Sequence, residues 1–242
     1  MKYLLGILLT SVALCAQAQV DSGLSNPFLL GPDGRHELNI SGGLFRPIST
    51  FNLQRTTGFT ANDRFGRTGY MFALDYLINL NQTVALGTEW AYVTREQQQI
   101  TNVYDPSLPF VTRVRGDSNL IFGLVRLKSP GTGFRPHVTG GVGWYRTRLN
   151  VYGAWPAGGP EASFINDAKT GLAWTLRTGF EYTNPLGSFI AADLGYIRTD
   201  TKSYGATPAG LASGFLPVNS AGSGITLTAR VGIRVGSPRV DN

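Results

Sequence analysis

From His36 to Val235, apolar side chains alternate with small or polar ones at a period of two, and no other feature constrains the fold of this chain as strongly. Period two is the signature of a β-strand, whose successive side chains point to opposite faces. Eight segments of about 10 to 16 residues each show one apolar face. In 36–47, Leu38, Ile40 and Leu44 oppose Glu37, Asn39, Ser41 and Gly43. In 68–78, Tyr70, Phe72, Leu74, Tyr76 and Ile78 oppose Gly69, Met71, Ala73 and Asp75. In 83–93, Val84, Leu86, Trp90 and Tyr92 oppose Ala85, Gly87 and Glu89. The fourth, 112–127, sets Leu120, Phe122 and Leu124 against Arg115, Asp117, Asn119 and Gly123. The fifth, 135–148, sets Val138, Val142 and Trp144 against His137, Thr139, Gly141 and Gly143. In the sixth, Leu172, Trp174, Leu176, Phe180 and Tyr182 oppose Ala173, Thr175, Arg177, Gly179 and Glu181. In the seventh, Ile190, Leu194 and Tyr196 oppose Ala191, Asp193 and Gly195. In the eighth, Ile225, Leu227, Val231, Ile233 and Val235 oppose Thr226, Thr228, Arg230, Gly232 and Arg234.

The connections alternate in length. Short turns rich in turn-forming residues join segments at 79–82, 128–133 and 184–187, whereas the connections at 48–67, 94–111, 149–169 and 200–222 each run about 20 residues. A soluble barrel or sandwich would show the same period. Three features favour a membrane barrel with its apolar faces toward lipid: a Gly-rich second face suited to a crowded lumen, Trp and Tyr near the ends of the apolar faces, and an export signal. The expected fold is therefore an all-β, eight-stranded antiparallel up-and-down transmembrane barrel with short periplasmic turns and four long extracellular loops.

The export signal is Lys2, an apolar run from Tyr3 to Leu14, and Ala16-Gln17-Ala18, which read as a signal peptide over 1–18. A run of about a dozen residues is too short to span a bilayer, where roughly 20 are needed. Residues 19–34 follow as a periplasmic segment, 35–236 as the barrel and 237–242 as a tail. The single cysteine, Cys15, leaves with the signal peptide, and the bulky Leu14 before it argues against a lipid anchor there. The mature chain then has neither disulfide nor cysteine metal site. At 15% charged and 11% aromatic residues the composition is not that of a disordered chain.

With its eight amphipathic strands, four long loops and the closing stretch Arg230-Val231-Gly232-Ile233-Arg234-Val235, the chain resembles the small eight-stranded outer-membrane barrels, the group containing OmpX, OmpW and the membrane domain of OmpA. The closing stretch is similar to that group's C-terminal assembly signal. The resemblance thus implies that Arg230, Gly232, Ile233 and Val235 are read by the barrel-assembly machinery, although Val235 stands where an aromatic is usual and a tail follows it.

Catalytic chemistry finds little support. Each of the two histidines, His36 and His137, starts a strand at the periplasmic end, so the expected role of both is that of polar residues at the interface or lumen mouth, with no triad, no cofactor and no enzymatic activity. Turn chemistry accounts for Asn62-Asp63 and Asn166-Asp167 better than a calcium site does, and lumen packing accounts for Gly140–Gly143 better than a phosphate loop. No metal site is expected.

Charges are more informative. Asp75, Glu89, Arg177, Glu181, Asp193 and Arg230 fall on small-residue faces, in both signs, so they are expected to pair inside the lumen. A turn near Pro185 places Arg177 opposite Asp193, or one diagonal step from it if the register slips by two residues, predicting a cross-strand ion pair between them in either case. On the long-loop side basic residues exceed acidic ones. Arg46, Arg67, Arg95, Arg146, Arg148 and Arg198 are candidates for a rim that holds lipopolysaccharide phosphates. Nucleic acid is not an expected partner. Two roles follow: a plugged structural and interaction barrel meeting outer-membrane lipids, lipopolysaccharide or a partner, or a narrow solute channel. A lipid A-modifying enzyme ranks third, and the oligomeric state is open.

Overall fold

The computed structural model describes residues 36–48, 50–54, 60–64, 68–101, 111–130, 133–154, 161–184 and 187–235, without side chains for 50–54, 60–64, 96–101, 111–112 and 154. The signal peptide, the 19–34 segment, the 237–242 tail and Arg67 lie outside the described residues. The barrel strands are β1 (His36–Pro47), β4 (Gly69–Asn79), β5 (Val84–Thr101), β6 (Val111–Lys128), β7 (Gly133–Ala154), β8 (Glu161–Thr183), β9 (Ser188–Thr199) and β12 (Gly224–Val235). They close in the order β1-β12-β9-β8-β7-β6-β5-β4, every neighbour antiparallel. Closure leaves no unpaired sheet edge in the apolar zone, which is what lets strands cross lipid.

Side-chain parity settles which face meets lipid. Val142, Trp144, Leu172 and Ile121 point outward and are 71%, 69%, 66% and 58% exposed. Apolar residues left uncovered all around the wall form a belt that water would not tolerate. Aromatic side chains mark both of its margins, Tyr76, Phe134 and Tyr182 toward the short turns and Trp90, Trp144, Trp174 and Tyr196 toward the long connections. The three short turns lie where the sequence puts them. The Asn81 carboxamide accepts the Thr83 and Val84 N–H groups, the Asn184 carboxamide accepts that of Ser188, and Gly133 and Gly187 take left-handed φ of 84° and 83°.

Two expectations need correction. The fourth segment has its faces reversed: Leu120, Phe122 and Leu124 are buried in the lumen, while Ile121, Val125 and Leu127 face outward. The stretch Leu120–Val125 is apolar on both faces, so alternation alone leaves its phase undecided. Arg126 decides it, because the opposite phase would put a guanidinium in lipid.

The second correction concerns the loops. β5 to β8 run well past the belt, to Thr101, from Val111, to Ala154 and from Glu161, which shortens the second and third loops. Beyond Trp144 the pattern on β7 changes sides, with Arg146, Arg148 and Asn150 outward and Leu149 and Val151 inward. The period persists, but above the membrane water is outside, so apolar residues turn inward as in a soluble sheet. The first loop holds a hairpin, β2 (Thr50–Gln54) with β3 (Thr60–Arg64). The fourth holds β10 (Lys202–Tyr204), the short helix α1 (Pro208–Ala212) and β11 (Val218–Ser220). No helix among the described residues is long and apolar enough to cross a membrane.

Candidate functional site: a doubly closed lumen and its outer rim

The half of the lumen toward the short turns is filled by ions. β4 and β5 place Asp75 directly opposite Glu89, an arrangement of like charges that requires cations from across the barrel. β6 and β8 supply them: Arg126 Nη2 donates to Asp75 at 2.9 Å, and Arg177 Nη1 donates to Glu89 at 2.7 Å. Glu37, from β1, accepts from Arg126, from Lys128 Nζ at 3.1 Å and from Arg234 Nε at 3.1 Å. Glu181 accepts from both Arg135 and Arg234 at 2.5 Å. Asp193 lies 2.5 Å from His137 Nε2 and 3.3 Å from Arg230 Nε. Arg230 Nη2 also lies 2.9 Å from His137 Nε2, so the imidazole sits between the Asp193 carboxylate and the Arg230 guanidinium. All these side chains are buried.

Of the six lumen residues expected from the sequence, Asp75, Glu181, Asp193 and Arg230 are joined in one network through Arg126, Glu37 and Arg234, Arg177 and Glu89 form a separate pair beside it, and the expected pair of Arg177 with Asp193 is not formed. The turn between β8 and β9 sets Arg177 opposite Gly195 and Asp193 opposite Gly179, two residues from the expected register. Arg177 reaches across the lumen to Glu89 instead, lying over Gly195, where a Cβ would come within 2.3 Å of Arg177 Cγ. Asp193 belongs to His137 and Arg230. Glu37, Arg126, Lys128, Arg135, His137 and Arg234 were not among the expected members. Parity already placed Glu37 and Arg234 on inner faces. Arg126 was lost with the reversed phase of β6, and Lys128 and Arg135 were lost because they flank a turn. His137 sits deeper than a mouth residue, fully enclosed in the network. His36 does lie at the interface, its Nδ1 2.7 Å from the Tyr76 hydroxyl.

Above the ions the lumen turns apolar, with Phe45, Met71, Ala91, Leu120, Phe122 and Ile197 packed together. Arg95, expected on the outer rim, points inward here and is 3% exposed, its guanidinium 6.0 Å from the Phe45 ring centre. Toward the long connections the fourth loop packs against the inner faces of the extended strands. Tyr204, Phe215 and Val218 pack on Val114, Leu149, Val151, Phe164 and Ile165 from the extended strands, with Phe164 and Phe215 stacked at 4.5 Å. Polar contacts pin the loop. Asp167 accepts the Gly205 N–H at 2.9 Å, Thr207 caps α1 through Gly210 N–H at 3.0 Å, and the Thr207 hydroxyl donates to the Ser163 carbonyl at 2.5 Å. Asn166-Asp167 thus anchors a loop, and the Asn62-Asp63 side chains lie outside the described residues. Among the described residues no group of three or more His, Cys, Asp or Glu is placed to hold a metal.

Outside, Arg46, Arg146, Arg148 and Arg198 are exposed on the outer wall toward the long-connection end. Arg148 Nε donates to Asn166 at 3.0 Å, and Arg115 Nε donates to Asp117 at 3.0 Å. Gly232 faces inward against Asn39 and Phe189, Ile233 faces outward at 40% exposure, and Val235 ends β12 opposite His36.

No family model matches the chain, and no curated protein matches it. Solved structures of outer-membrane barrels do. OprG of Pseudomonas aeruginosa superposes with a TM-score of 0.53 at 14% identity, over 84% of this chain and 98% of OprG. Neisserial surface protein A superposes at 0.40 with 12% identity over 82% and 96% of the two chains. The outer membrane protease OmpT of Escherichia coli does so at 0.49 with 10% identity over 88% and 99%. At 14% identity the likeness to OprG shows the fold alone, that of an outer-membrane β-barrel.

Proposed function

We propose that this transmembrane barrel is an outer-membrane protein with a structural and interaction role, exported by its N-terminal signal, that conducts no solute and presents its extracellular wall to lipopolysaccharide or a partner. The observation that carries this reading is the lumen. It is filled by paired charges toward the short turns, and toward the long connections the fourth loop packs its apolar residues against the inner faces of β6 to β8. An eight-stranded barrel has room inside for little more than its own side chains, and here they fill it. What remains available for contact is the outer surface, where Arg46, Arg146, Arg148 and Arg198 form a basic rim suited to phosphate. The closing strand, through Arg230, Gly232, Ile233 and Val235, is the segment offered to the assembly machinery. Conductance across a planar lipid bilayer tests the reading. Folded protein inserted at high salt should give no steps, whereas regular small steps from single insertions would establish the narrow-channel alternative.

A further inference from the structure

We infer that the rim contains one localised seat for the phosphate of a lipid headgroup, on the outer wall of β6, β7 and β8 and centred on Arg146. The inference rests on the proposed interaction role and narrows it from a ring of basic residues to one face. Three observations converge there.

The first is position. Ile121, Trp144 and Leu172 stand in one cross-strand row of the belt, and the next row toward the long connections is Asn119, Arg146 and Thr170, all exposed on the same outward face. In a single step on three adjacent strands the wall changes from apolar to polar. That is the level at which the acyl chains of a lipid give way to its headgroup. Trp144 immediately below Arg146 marks the same boundary.

The second is unused bonding capacity. Arg146 has no hydrogen-bond or ion-pair partner among the described residues, whereas Arg148, Arg115 and Arg113 each have one, respectively Asn166, Asp117 and Glu161. Its cross-strand neighbours, Asn119 and Thr170, carry a carboxamide and a hydroxyl that can donate to the same oxygens. Cross-strand neighbours have Cβ atoms about 5 Å apart. A guanidinium flanked by two neutral donors matches a phosphate, which accepts bidentately from arginine.

The third is charge. On this wall Arg113, Arg115, Arg146 and Arg148 face only Asp117 and Glu161. Asp117 is in addition taken by the hydroxyls of Tyr92 and Thr94 at 3.1 and 2.8 Å. The surplus is cationic at the headgroup level, where a basic cluster attracts anionic lipid. Arg46 stands on β1, four strands away from Arg146 around the barrel, so the seat and that part of the rim are separable.

The test uses the full mature chain folded in detergent micelles free of lipopolysaccharide, with the thermal unfolding midpoint followed by the mobility shift of the folded barrel on gels. The probes are bis-phosphorylated lipid A, the same lipid stripped of its phosphates, and inorganic phosphate. Bis-phosphorylated lipid A should raise the midpoint and the stripped lipid should not. Arg146→Ala should weaken that response at least tenfold in lipid concentration, Arg146→Lys should restore part of it, and Lys202→Ala, a change of charge on the fourth loop, should leave it intact. Each variant is scored only after its folded band is seen, so a folding defect is not read as lost binding. An equal loss in Arg46→Ala would spread binding over the whole rim and overturn the seat while leaving the interaction role standing. A rise with inorganic phosphate matching that with lipid A would overturn the lipid source. No rise in the unmodified protein with any probe would remove both the seat and the lipopolysaccharide reading on which it rests.

Discussion

Arg126 is the residue on which the lower lumen turns, since one guanidinium bridges Glu37 and Asp75 from two different strands. Arg126→Met should destabilise the barrel by about 3–5 kcal/mol, because it leaves Asp75 with only the longer 3.9 Å contact to Arg230. Arg126→Met combined with Asp75→Asn should recover part of that loss, as read from urea unfolding midpoints in lipid vesicles. The Arg177–Glu89 pair can be isolated in the same way. A double-mutant cycle of Arg177→Met with Glu89→Gln should show a coupling of about 1–3 kcal/mol, and the cycle of Arg177→Met with Asp193→Asn should show clearly less. A larger coupling in the second cycle would restore the pairing expected from sequence. The two-residue slip alone leaves that pair on a diagonal; it fails because Arg177 runs over Gly195 to Glu89 while Asp193 is taken by His137 and Arg230.

At the scale of elements, the fourth loop is a folded cap whose polar anchors lie outside the membrane. Burial pushes the Asp167 carboxyl up, but Lys169 and the Gly205 and Ala168 N–H groups outweigh it and hold the group below the ordinary carboxylate range. A depressed folded value stabilises the cap above the unfolded pKa of about 3.9 and loses that contribution as the pH falls through the folded value. The protection of amides in 202–220, taken relative to their intrinsic exchange rates at each pH, should therefore fall below about pH 4 while the barrel strands stay protected, and Asp167→Asn should show the lower protection already at pH 7. Unchanged exchange in that variant would detach the anchor from the cap. β12 carries a second element-scale prediction. A side chain at Gly232 would meet Asn39 Oδ1 at 2.1 Å and the Phe189 ring at 2.4 Å, so Gly232→Asp should block closure against β1 and β9 and leave unassembled chain in the periplasm. A normal heat-modifiable barrel in this variant would count against the assembly role of the strand.

For the whole molecule, the two closures are independent. Replacing residues 203–219 by a short Gly/Ser linker removes Tyr204, Phe215 and Val218 from the upper mouth but leaves every ion of the lower network in place. Such a chain should fold and still give no conductance steps. Steps that appear on loop replacement alone would assign the seal to the cap and make the fourth loop a gate.

The architecture was legible in the sequence because a transmembrane barrel imposes a repetitive local rule: every strand must show lipid one face and the lumen the other, and short and long connections must alternate. Eight segments, three turns and the inward parity of Asp75, Glu89, Arg177, Glu181, Asp193 and Arg230 all follow from that rule. Three things did not follow. The phase of β6 is ambiguous because Leu120–Val125 is apolar on both faces, the far ends of β5, β7 and β8 fall in stretches that read as loop because the apolar side changes where lipid gives way to water, and height alone places Arg95 outside. Partnership inside the lumen was beyond the sequence altogether. Periodicity reports which face a residue occupies, a property of its own strand, whereas Arg126 with Glu37 and Arg177 with Glu89 meet across a closed cylinder. Only the register of eight strands around the ring brings those charges together.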